Sequence, residues 1–132
     1  MIDSLKLSIL FRGKNFSPKE AERVTGIELS KKLEVGDIAP FGRYRGQAVP
    51  YGTGILIVPD KVPNAERLEW LVSLLDKHLE KIYKLGAEPT HIYAGYFYKD
   101  QCNFLFTKKE MLEISKLDID FHISCYDISD DE

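Results

Sequence analysis

The sequence has no apolar run approaching the roughly 18 residues that span a bilayer, and its opening Met1-Ile2-Asp3-Ser4 carries neither a basic lead nor a cleavage site. The first lack argues against a membrane-spanning helix; the second makes cytoplasmic residence the expectation. Cysteine is limited to Cys102 and Cys125, both inside apolar strand patterns instead of loops with metal-ligand spacing. Buried, reduced thiols are therefore expected, with a disulfide sterically open only if the two strands are neighbours. Histidine is almost as scarce. His78 falls at the edge of an apolar helical stripe, His91 has no partner at a recognisable spacing, and His122 and Cys125 point to opposite faces of a strand. No metal and no cofactor are implied. The Gly42 to Gly54 stretch is glycine-rich, yet it leads into a strand and not into the helix a phosphate cradle needs. The carboxylates of Asp118-Ile119-Asp120 and Asp130-Asp131-Glu132 lack the spacing of a calcium loop. With no nucleophile, base or metal set in view, the reading leans away from an enzyme.

What is present is an ordinary globular composition, 44% hydrophobic and 30% charged over 132 residues, enough for one domain with a core. A single domain over 1–132 is expected, with 128–132 as a frayed acidic tail. The formal net charge of −3 conceals an asymmetry, because beyond Asp100 only Lys108, Lys109 and Lys116 offset a longer series of carboxylates. An acidic end repels nucleic acid and suits a basic partner.

The longest segment of one period runs from Pro63 to Gly86. Leu68, Leu71, Val72, Leu75, Leu79, Ile82 and Leu85 recur at helical steps, with Asn64 as the expected N-cap and Gly86 closing the last turn. Such a stripe needs a sheet to lie on. Leu5, Leu7, Ile9 and Phe11 alternate as a half-buried strand, and Ser17-Pro18-Lys19-Glu20 reads as a capping box that starts a helix to about Val24. Gly26 ends it and lets Ile27 and Leu29 drop onto the core. From Ile38 to Gly54, prolines and glycines predict a long loop with a short extended piece near Gln47 to Val49, followed by a buried strand at Ile55 to Val58. A hairpin is expected next, Thr90 to Tyr98 turning at Lys99-Asp100-Gln101 into Cys102 to Phe106. Thr107-Lys108-Lys109-Glu110 is a second capping box, whose helix turns Met111, Leu112, Ile114, Ser115 and Leu117 toward the core. In the last strand Ile119, Phe121, Ile123 and Cys125 alternate with Asp120, His122, Ser124 and Tyr126.

The fold class that follows is α+β: a single mixed or antiparallel sheet of about five strands with three helices on one face, in the order βαβαββαβ. The first and last thirds repeat a strand and a capped short helix, which suggests a ferredoxin-like duplication. One face of the sheet is left to water.

Leu7-Ser8-Ile9, Phe16-Ser17-Pro18-Lys19-Glu20, Thr25-Gly26-Ile27-Glu28, Gly36-Asp37 and the ending Leu117 to Asp127 together resemble the bacterial family known as domain of unknown function 4279. That resemblance implies no catalytic residues. It implies a bacterial setting, in which binding a small partner, including immunity against a toxin, is the natural expectation.

The residues themselves point to binding by shape and charge. Arg43, Tyr44, Arg45 and Tyr51 in the long loop, with Phe41, join Lys6, Ser8, Asp120, His122, Ser124 and Tyr126 on the water-facing strands as a candidate surface. Tyrosine and arginine are the residue types that carry interface energy. The leading expectation is a non-enzymatic, protein-binding domain, with immunity against a nuclease-type toxin as its most concrete form. Two alternatives stay open. One is a small-ligand sensor or enzyme with a pocket between the 38–54 loop and the sheet. The other, the weaker, is an RNA-binding sheet on which Tyr93, Tyr96 or Tyr98 and Phe104 stack bases beside Arg43-Tyr44-Arg45. The edge strands leave a homodimer open.

Overall fold

A computed structural model describes residues 4–129. The long helix is where its period places it. α2 (Arg67–Lys84) buries Leu68, Leu71, Val72, Leu75, Leu79 and Ile82 along one stripe, and each such side chain removed from water contributes roughly 1.5–3 kcal/mol. Its start differs from expectation. Asn64 opens a single 3-10 turn, Asn64–Glu66, and its side-chain oxygen accepts from the Leu5 N–H at 3.3 Å instead of capping α2. The helix entry is held by Arg67, whose buried guanidinium donates to the carbonyl oxygens of Val62, Leu5 and Asp60 at 2.7, 2.8 and 2.9 Å.

The stripe lies on a five-stranded sheet of order β2-β3-β1-β4-β5. β1 (Ser4–Gly13) is central and pairs antiparallel with β3 (Gly52–Ile57) and β4 (His91–Tyr98). β2 (Ser30–Leu33) pairs antiparallel with β3, and β5 (Asp120–Asp127) pairs parallel with β4. α1 (Pro18–Thr25) connects β1 to β2, and α3 (Lys108–Lys116) connects β4 to β5. β1 through β4 thus have the strand order and directions of a split βαβ, ferredoxin-like sheet, to which α3 and β5 are added. The two capped units are not equivalent, because β3 inserts between β1 and β2 whereas β4 and β5 are adjacent.

Both short helices have the expected hydroxyl cap, but the reciprocal box closes only at α3, because the Glu20 carboxylate turns to Arg23 instead of the Ser17 N–H. The Ser17 hydroxyl accepts from the Glu20 N–H at 3.2 Å, and Thr107 and Glu110 complete a reciprocal capping box at 3.1 and 2.9 Å. Gly26 ends α1, and Ile27 and Leu29 are buried. α3 docks lightly. Ile114 and Leu117 pack against the core, but Met111, Leu112 and Ser115, expected to point inward, are exposed.

Two strand assignments change. Cys102 to Phe106 is not a strand, because both edges of β4 are already taken by β1 and β5, so a hairpin partner has nowhere to pair. The segment instead crosses the helical side, where Phe104 meets Tyr96 and Phe106 meets Phe121. In exchange, β2 forms from Ser30-Lys31-Lys32-Leu33, which shows no alternation because it contains a bulge. β3 begins earlier than expected and is covered on one face only: Leu56 is buried while Ile57 is 46% exposed. Within the expected acidic tail, Ile128 is buried and its N–H donates to the Tyr98 carbonyl at 2.8 Å. Residues 130–132 lie outside the described ones. Among the described residues no helix is long and apolar enough to cross a membrane.

Candidate functional site

All three helices pack on the face that carries Leu5, Leu7, Ile9, Phe11, Ile92, Ala94 and Tyr96. The opposite face carries no helix, and the long loop lies over its β1–β3–β2 end. Register decides its membership: Lys6, Ser8, Leu10 and Arg12 of β1 lie beside Thr53, Ile55 and Ile57 of β3 and beside Tyr93 and Gly95 of β4, and His122, Ser124 and Tyr126 of β5 follow. Strand alternation places each of them there.

Two hollows share this face. The first, about 420 Å³, has Gly95 in its floor and Tyr93, Phe97 and Tyr126 around it, with Lys6, Ile55 and Ile57 on the far side. Phe97 and Tyr126 stack with ring centroids 4.8 Å apart, and the Tyr93 and Tyr126 hydroxyls are hydrogen-bonded at 2.5 Å. This contact splits their acidities. Hydrogen bonds from Ser124 and then Tyr126 hold Tyr93 below the ordinary tyrosine range, while the bond to Tyr93 and desolvation push Tyr126 above it. His122 sits edge-on to Tyr93 at 5.2 Å, with its Nε2 3.3 Å from the Ser124 hydroxyl.

The second hollow, about 270 Å³, lies between the long loop and the outer side of β1, β2 and β3. The loop closes on itself. Gly36 donates to Val49, Ala39 to Gln47, Gly46 to Ala39 and Val49 to Asp37, all within 2.8 to 2.9 Å, and Ala39 and Val49 are buried. The extended piece expected near Gln47 to Val49 appears as an isolated antiparallel bridge between Ile38 and Ala48. Gly42 and Gly46 take φ of 83° and 77°, the left-handed region that a loop folded this tightly requires. The rings of Phe41, Tyr44 and Tyr51 face this hollow together with Arg12, Lys31 and Arg43.

The sequence candidates therefore divide. Arg43, Tyr44 and Tyr51 line the loop hollow and Tyr126 the strand hollow, and the two are joined through Lys31 and Ile55, which border both. Arg45 lines neither; it is exposed, and its N–H donates to Gly42. Asp120 stands opposite His91 at the start of β5, away from the hollows. Of the proposed base-stacking set only Tyr93 is on the open face; Tyr96 and Phe104 contact each other on the helical side, where Tyr98 stacks on Tyr96.

The sequence does not single out Lys31 or Phe97, and it places Arg12 on the polar side of β1 without marking it for the surface. Phe97 was within reach, since it alternates with Tyr93 and Gly95, but nothing local marks Lys31. The expectation that both thiols are buried is also overturned. Cys102 and Cys125 are exposed, with Sγ atoms 3.4 Å apart, because the 101–106 segment is a crossing loop and β5 an edge strand.

Among the described residues no group of three or more His, Cys, Asp or Glu is placed to hold a metal ion. In comparisons with family models, curated proteins and solved structures, nothing matches this chain.

Proposed function

We propose that the chain is a non-enzymatic binding domain that docks another protein on the helix-free face of its sheet. The observation that carries this reading is the stacked Phe97–Tyr126 pair, with Tyr93 beside it, standing on a face that no helix covers. Rigid aromatic rings with polar ends are the groups that anchor protein interfaces. Leu10 and Ile57, 41% and 46% exposed on neighbouring strands, extend the patch with aliphatic surface. Aliphatic groups favour a protein over a nucleic acid, whose bases would stack on rings. Lys6 at the rim is already paired with Asp60 at 3.0 Å and offers less to a phosphate backbone than an unpaired lysine.

Neutralising a toxin in a bacterial cytoplasm is the most concrete version, supported by the motif resemblance to domain of unknown function 4279. Arg12, Lys31 and Arg43 favour a partner whose contact patch is acidic, so a toxin with a basic nuclease surface suits this face less well. The test is co-expression with candidate toxins. Protection that is lost in Phe97→Ser/Tyr126→Ser, and kept in the helix-side variant Leu112→Ser, supports the reading. Protection lost equally in both, or no protection and no stable complex, removes it. Single-stranded RNA binding that weakens steeply with salt would transfer the face to nucleic acid.

A further inference from the structure

We propose that the hollow beneath the long loop is a separate binding site for a small organic anion, a carboxylate or phosphate carried on a single aromatic or apolar ring. Its charge is the first observation. Arg12, Lys31 and Arg43 converge on it, no aspartate or glutamate lines it, and none of the three makes an ion pair among the described residues. Each cation is instead held against a ring: Arg12 over Tyr51 at 5.0 Å, Lys31 over Phe41 at 5.7 Å and Arg43 over Tyr44 at 5.6 Å. Ring faces orient a cation without neutralising it. In a chain of net charge −3, three like charges gathered without a counter-ion form a local field that draws an anion.

The second observation is how Lys31 gets there. Ser30 pairs with Ile55 and Leu33 with Thr53, so Lys31 and Lys32 together oppose Gly54. Lys31 takes the left-handed φ of 50°, a conformation costing a non-glycine residue about 1 kcal/mol or more. Regular alternation from Ser30 would send Lys31 toward the helices. The bulge turns it onto the open face and leaves Lys32 to pair with Glu22 of α1 at 2.9 Å.

The walls set the rest of the ligand. Leu10, Leu33, Val49 and Ile55 supply an apolar lining, and the Tyr44 and Tyr51 rings, edge to face at 5.9 Å, form one end. At about 270 Å³ the space falls just below the usual range of ligand sites, which run roughly from 300 to 1,000 Å³. A one-ring body fits and a dinucleotide does not. The hydrogen-bonded loop makes the hollow in advance of any ligand, so little ordering entropy is lost on binding.

The experiment is a titration of the full chain with benzoate and with phenyl phosphate, followed by backbone amide NMR, with benzamide as the neutral comparator. Shifts confined to Lys31, Gly42 to Tyr44 and Tyr51, seen for an anion and not for benzamide, are expected. Arg12→Gln and Arg43→Gln, whose side chains are exposed enough to leave folding intact, should each weaken the anion about tenfold, or 1.4 kcal/mol. Lys6→Gln, outside this hollow, should not. Whichever anion binds more tightly identifies the headgroup. No shifts at these amides up to the solubility limit, shifts equal for benzamide, or affinity unchanged in both arginine variants would overturn the site. Its loss leaves the protein-docking reading standing, because that rests on Phe97 and Tyr126.

Discussion

Gly52 passes so close to Phe16 that a Cβ built on it would lie 1.8 Å from the Phe16 carbonyl oxygen. A backbone atom cannot swing aside as a side-chain end can. Gly52→Ala should therefore destabilise the fold by about 3 kcal/mol, read as a lower midpoint in urea unfolding. Gly95→Ala is the contrast. Its Cβ would meet only ring carbons at 3.4 to 3.6 Å, so stability should stay within about 0.5 kcal/mol of the parent while the aromatic hollow becomes shallower.

Arg67 is a buried charge, 8% exposed, whose strong hydrogen bonds all go to carbonyl oxygens and none to a carboxylate. Arg67→Met should cost about 3 kcal/mol, since three backbone acceptors lose their donor together. Arg67→Lys should recover little of this. One ammonium cannot reproduce the forked geometry that ties Leu5 to the turn before α2. Equal stability of the lysine variant and the parent would refute this account of the helix entry.

Cys102 and Cys125 meet across the rim of β5 with 3.4 Å between sulfurs. Oxidised glutathione should link them within one chain: the two thiols give up two protons and two electrons, and the glutathione disulfide is reduced to two thiols. Intact mass should show the loss of two hydrogens, and Cys102→Ser should abolish it. Because the link closes the loop that carries α3, the oxidised form should unfold at a higher temperature than the reduced one.

The Tyr93–Tyr126 hydrogen bond predicts two separated phenol ionisations by absorbance near 295 nm. Tyr93, held low, should lose its proton first, and Tyr126, held high, should follow. The signs for stability are opposite. The depressed Tyr93 contributes above the unfolded tyrosine pKa of about 10, and that contribution is lost as pH falls through its folded value. The raised Tyr126 contributes below about 10 and loses its contribution as pH rises through its folded value. Tyr93→Phe should remove the early step and bring Tyr126 back toward the ordinary range.

Where local chemistry sets conformation, the sequence was readable. Ser17 and Thr107 cap their helices because a hydroxyl at the N-cap satisfies a free amide three residues on, and at Thr107 the Glu110 carboxylate returns the bond. The α2 stripe and the two-residue beat of β1 and β5 are likewise local periods. β2 was not readable because its bulge breaks the alternation, and the start of β3 was not readable because of its glycines. At Gly52 and Gly54 the inner face has no side chain, because Phe16, Pro18 and Leu29 fill that space, and the resulting glycines imitate a loop. The hairpin assigned to Cys102–Phe106 failed because strand propensity says nothing about whether a neighbouring edge is still vacant.

Composition and periodicity alone determined the α+β class, the hydroxyl caps of the two short helices and which residues of β1 turn away from the core, since each of these depends on neighbours a few positions along the chain; the cap of α2 and the inward placing of Ile123 and Cys125 on β5 did not follow. Only the tertiary structure decided that Tyr126 would meet Tyr93 and Phe97, that Lys31 would turn outward beside Arg12 and Arg43, and that Arg45 and Asp120 would stand apart. Those outcomes rest on strand order, register and one bulge, which are set by contacts between residues distant in sequence and leave no mark on any short stretch of it.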